Sequence, residues 1–143
     1  MSEKDLAYNS IRDALLSAFP ELLERIWSTF GSYYDLEKGT PEEMPDAYPI
    51  FEDVVQKVVF ELLDSGQDEG LLTRLFLFFE GMATSQDKNV QDLLAIAILE
   101  NLVYRKESLQ RAWKHMGPQS KELAVLEADH QGRRENLPRP DNA

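Results

Sequence analysis

The sequence predicts an all-α fold: a single-domain bundle of six or seven helices. Three observations carry that expectation. Apolar residues recur at three- and four-residue spacing through most of the chain, the period of a helix with one buried face. One stretch, Val90 to Tyr104, has no polar side chain between Leu93 and Leu99, and a helix that is apolar all round belongs inside a core. No stretch alternates convincingly as a strand would. The 143 residues suit one domain, large enough to bury roughly 70% of its unfolded surface without a metal or disulfide.

The elements follow in order. Asp5 to Phe19 places Ala7, Ile11, Ala14, Leu15 and Ala18 on one face, and Pro20 ends it. Pro20 then suits the first position of a second helix, Glu21 to Phe30, with Leu22, Leu23, Ile26, Trp27 and Phe30. These two helices are expected to form a short antiparallel hairpin. Ser32 to Tyr48 has no helical pattern and is broken by Gly39, Pro41 and Pro45. Tyr48 to Asp64 resumes the pattern. Its valines raise a strand alternative, but the polar residues Glu52, Asp53, Gln56, Lys57, Glu61 and Asp64 recur at helical spacing.

Gln67 or Asp68 caps Glu69 to Ala83, in which Leu77 falls opposite the apolar face. Asp87 caps the central helix. Lys106 to Met116 follows, closed by Gly117 as a C-terminal cap, and Pro118 opens a last helix to about Asp129. The domain is expected to span 1–130, with 131–143 a disordered tail, since that tail has one Leu and no pattern. The three similar helices from Tyr48 to Tyr104 also admit a short, solenoid-like stack around the central apolar helix.

Charge narrows the function. The formal net charge is −11. Residues 1–70 hold 16 acidic and 5 basic side chains, a balance of −11, while residues 71–143 hold 10 of each. Such a chain is expected to repel nucleic acid and anionic membrane and to attract a basic protein. There is no cysteine, which excludes disulfides, thiolate zinc sites, iron–sulfur clusters and a thiol nucleophile. No secretory leader or membrane span is expected, so the expected location is cytoplasmic.

Chemistry is scarce. Glu127-x-x-His130 has the spacing of one half of a di-iron site, but no second pair exists. Arg111 and His115 share a helix face, as the Arg-and-His pair of HEPN helical ribonucleases does, at a spacing one residue shorter than is usual there. No Gly-rich phosphate loop, Gly-x-Ser-x-Gly or metalloprotease motif is present. No catalytic, cofactor or metal site is therefore assigned, and no cofactor is expected. The candidate site is instead a partner-binding surface on the acidic, Tyr-rich segment: Tyr33, Tyr34, Asp35, Glu37, Glu42, Glu43, Asp46, Tyr48, Glu52 and Asp53. Aromatic anchors beside carboxylates suit a protein interface.

Residues 71–102, LLTRLFLFFEGMATSQDKNVQDLLAIAILENL, resemble an uncharacterised family of small helical bacterial proteins. The shared features are a helix ending in Phe78-Phe79-Glu80, an acidic turn, Val90-x-Asp92-Leu93-Leu94 and Leu99-Glu100-Asn101-Leu102. Gly117-Pro118-x-Ser120-Lys121 resembles the family's closing segment. Many such proteins resemble immunity proteins encoded beside polymorphic or contact-dependent toxins. The resemblance implies a non-enzymatic protein that binds a cognate toxin with a basic surface. The alternatives are a helical adaptor or regulatory subunit, with homodimerisation open, and a small hydrolase using His115 or Glu127.

Overall fold

The computed structural model describes residues 5–30 and 44–139. Seven helices and no strand are found among them. Helix α1 is Tyr8–Ala18. A 3-10 turn at Pro20–Leu22 leads into α2, Leu23–Phe30. Helix α3 is one rod made of Ala47–Ile50, a π turn Phe51–Val55, and Gln56–Ser65. Helix α4 is Glu69–Ala83. Helix α5 joins Lys88–Leu94, a π turn Ala95–Leu99, and Glu100–Tyr104. Helix α6, Lys106–Ala112, ends in a 3-10 turn Trp113–His115. Helix α7 is Pro118–Gln131, followed by a short turn Arg134–Asn136.

Local chemistry sets these ends. Gly66 takes φ 70°, the left-handed conformation that a glycine adopts without a Cβ clash, and its N–H closes α3 on the Leu62 carbonyl. Asp68 caps α4 through the Leu71 N–H, and Asp87 caps α5 through the Asn89 N–H. Asp87 also accepts the Tyr8 N–H at 2.8 Å, so one carboxylate ties the starts of α1 and α5 together.

Helix α5 is the centre. It packs against α1, α3, α4, α6 and α7. Val90, Leu93, Leu94, Ala97, Leu102 and Val103 are fully enclosed. The π turns of α3 and α5 face one another, and the Gln56 amide bridges them by donating to the Ala97 carbonyl at 2.7 Å. Helices α3, α4 and α5 therefore touch pairwise and close a triangle, with α7 laid across α4 and α5, a bundle rather than an open stack.

Four expectations change. The apolar rod is not buried on every side: Ile96 is 44% exposed, because no described helix covers that flank of the π turn. Helix α2 packs on the π turn of α3 rather than back along α1, since the 3-10 turn at Pro20 redirects the chain. Gly117 does not cap α6. With φ −79° and ψ 173° it is the extended residue in front of α7, and α6 has already tightened into its 3-10 turn.

The fourth change is at the chain's end. Residues 132–139, expected to be patternless and disordered, fold back on the bundle. The buried Asn136 amide donates to the Val103 carbonyl at 2.8 Å, and Leu137 packs on the core. Those bonds satisfy carbonyls at the end of α5, where a helix leaves its last acceptors open.

Candidate partner-binding surface

Six of the ten predicted site residues, Tyr33, Tyr34, Asp35, Glu37, Glu42 and Glu43, lie outside the described residues. The other four meet on one face. Asp46 precedes α3, Tyr48 is in its first turn, and Glu52 and Asp53 lie on its π turn. All three carboxylates are exposed and Tyr48 is half-buried.

The structure adds a residue that the sequence reading passed over. Tyr8, at the start of α1, sets its ring 6.2 Å from that of Tyr48, tilted at 43°. A cleft of about 560 Å³ opens beside the pair, walled by Phe30, Pro45 and Pro49 and edged by Asp46 and Asp53. A smaller cavity adjoins it between α1 and α3, with Asp13 on its rim. Arg12 builds this corner: its guanidinium donates to the carbonyls of Met44 and Pro45 and fixes where the chain enters α3. Tyr8 sits on the same helical face as Ile11 and Leu15, and that spacing was the signal available for it.

The electrostatics of the face differ from those of its surroundings. Four acids elsewhere in the first half meet a cation: Glu21 meets Arg74, Glu61 meets Arg25, Asp64 meets Arg111 and Glu69 meets Lys114. The hydrogen bond from Arg74 holds the Glu21 carboxyl below its usual value, and that from Arg25 does the same for Glu61. Asp46, Glu52 and Asp53 form no ion pair among the described residues. Burial, and then Tyr8, Asp92 and Glu52, raises the Tyr48 phenol above its ordinary value, so it stays protonated and able to donate.

The Arg–His pair is in a different place. Arg111 and His115 line a cleft of about 460 Å³ between the end of α3, the start of α4 and α6. The His115 side chain is only 7% exposed. Its ring stacks on Phe76, with Nδ1 3.3 Å from the Thr73 hydroxyl and Nε2 3.8 Å from the Glu69 carboxylate. Desolvation lowers its pKa. Both ring nitrogens thus face fixed partners. Glu127 lies on α7 and accepts from Gln131, away from this cleft. Among the described residues no group of three or more His, Asp or Glu is placed to hold a metal, and no described helix is long and apolar enough to cross a membrane.

Two residues from the segments quoted above, Glu80 and Gly117, carry out one structural task together. Glu80, at the end of Phe78-Phe79-Glu80, accepts the N–H groups of Gln119 and Ser120, both at 2.9 Å. It is the N-terminal cap of α7, supplied from α4. Gly117 makes room for it, since a Cβ there would lie 2.3 Å from the Glu80 Cδ.

The chain belongs to the family described as Domain of unknown function (DUF7674), whose model matches residues 12–131. No curated protein and no solved structure matches it.

Proposed function

We propose that this chain is an immunity-type binding protein that neutralises a cognate bacterial toxin by covering it, without catalysis of its own. One observation carries the reading. Three exposed carboxylates with no basic partner among the described residues, Asp46, Glu52 and Asp53, gather beside the Tyr8–Tyr48 pair and its cleft. Tyrosines of this kind give an interface rigid, amphipathic anchors. Free carboxylates around them steer a basic partner and speed its arrival, while adding less to the final affinity. An arginine or lysine side chain seated between Tyr48 and Asp53 would meet an aromatic face and a carboxylate together.

The test is binding to, and inhibition of, the protein encoded immediately upstream. The reading expects a one-to-one complex that abolishes the toxin's activity. Association should slow steeply with added salt, and the triple variant D46N/E52Q/D53N should associate about tenfold more slowly at low salt. A partner bound equally fast by wild type and triple variant, at every ionic strength, would remove the acidic face from the account.

A helical adaptor or regulatory subunit is the second reading. It is favoured by Leu77 and Leu126, which are 66% and 60% exposed on α4 and α7. Loss of binding on Leu77→Ser and Leu126→Ser, with the triple variant unaffected, would select it.

A further inference from the structure

Opposite in charge to the acidic face is a cleft of about 640 Å³, formed where α6, α7 and the closing turn meet. Lys106, Arg134 and Arg139 contribute cationic side chains to it, against one carboxylate, Glu135. With the Arg134–Asp129 ion pair counted, one net positive charge remains around the cleft, in a chain whose net charge is −11. The cleft's apolar lining is Trp113, Val125, Leu137 and Pro138, with Gln110 beside them. Lys121 adds a further cation 5.3 Å from the Trp113 ring centroid.

Trp113 is also left incomplete by the fold. Its indole N–H is buried and has no acceptor among the described residues. A buried donor without an acceptor is costly, and native structures leave few of them. The Arg134 guanidinium is held toward α7 by a 2.6 Å bond to Asp129, which fixes its position at the rim. A cleft of this volume with a few convergent polar groups and an apolar lining has the dimensions of a small-molecule site.

We propose that this cleft binds a small anion carried on a flat apolar body. The anionic group is held by Lys106, Arg134 and Arg139, and the body packs against Trp113 and Leu137. A mononucleotide and an aryl carboxylate share this chemistry, and the test separates them. The chain has two tryptophans, so a ¹⁵N-labelled sample gives two indole N–H resonances, assigned by W113F. Adenosine monophosphate, indole-3-acetate, neutral adenosine and inorganic phosphate are titrated in turn.

The proposal expects a saturable shift of the Trp113 indole signal, with the Trp27 signal still, for adenosine monophosphate or for indole-3-acetate. The more effective probe names the anion. Adenosine, which lacks the charge, and phosphate, which lacks the flat body, should each bind about tenfold more weakly. The double variant K106Q/R139Q should weaken binding by a similar factor. Both side chains are exposed and unchanged helical circular dichroism confirms its fold. No saturable shift with either charged probe up to millimolar concentration would overturn the proposal. So would equal shifts from neutral adenosine, or binding indifferent to the double variant.

Discussion

Glu80→Ala removes the cap that α4 supplies to α7. The wild-type carboxylate accepts two backbone N–H groups, at Gln119 and Ser120, and places negative charge at the positive end of a fourteen-residue helix. Gly117, the residue in cap position, has no side chain to replace it. Losing a side-chain cap costs about 0.5–2 kcal/mol. Ser120 is 1% exposed, so its orphaned N–H gains little from water, which adds part of the roughly 1–3 kcal/mol of an unsatisfied buried group. Together these give about 2–3 kcal/mol. For a domain of this size that is a fall in Tm of about 6–10 °C.

Gly117→Ala should cost a similar amount by a different route, because its Cβ expels the same carboxylate. The two losses then cannot add. In urea unfolding followed by circular dichroism, G117A should be nearly neutral in the E80A background, a coupling of about 2–3 kcal/mol. Glu80→Gln keeps one acceptor oxygen and should fall in between. A cost below about 0.5 kcal/mol for E80A, or full additivity in the double variant, would refute the trans-cap reasoning.

Other consequences follow from the same geometry. Burial depresses the folded-state pKa of His115, so the unfolded chain binds the extra proton first. Stability should be complete above about pH 6.5 and decline as pH falls toward the folded value, and H115Q should flatten that slope in denaturant titrations run from pH 7.5 to 5. Asn136→Ala strips the Val103 carbonyl of its donor, and a loss of about 1–3 kcal/mol in the same assay is expected. Leu137→Ala should add to it, because the closing turn packs on the core. Gln56→Leu leaves the Ala97 carbonyl without its cross-link between the two π turns and should cost about 1–2 kcal/mol, read by thermal unfolding.

The parts of the fold that were legible are those written locally. Asp87 and Asp68 bond to N–H groups two and three residues away, so the cap residue and its helix can be read together. Gly66 follows its helix directly. The central helix was legible as an uninterrupted apolar run, and Ile11, Leu15, Phe76 and Phe79 as core from their spacing. What was illegible depends on residues far apart in sequence. Glu80 caps a helix that begins 38 positions later in the numbering, from Glu80 to Pro118, so Gly117 looked like the end of one helix rather than a gap left for a carboxylate. The π turns leave no periodic mark, yet one of them turns Ile96 outward. Asn136 is buried by a carbonyl 33 residues before it, and no pattern within the tail could announce that.

The candidate surface was half legible for the same reason. Composition identified Asp46, Tyr48, Glu52 and Asp53, because acids and tyrosines cluster in that stretch. It could not supply Tyr8, which arrives from α1, or the pairing of Glu21, Glu61, Asp64 and Glu69 with cations from elsewhere. The balanced charge count of the second half likewise hid the basic cleft, since acids and bases that cancel in a sum are separated in space.

The most direct measurement on the proposed role is hydroxyl-radical footprinting of the complex with the upstream-encoded protein. Oxidation of Tyr8 and Tyr48 should fall several-fold on binding while Tyr104, exposed at the end of α5, stays as reactive as in the free chain. Protection of Tyr104, Leu77 or Leu126 with Tyr8 and Tyr48 unchanged would place the partner on another face and contradict the acidic docking surface.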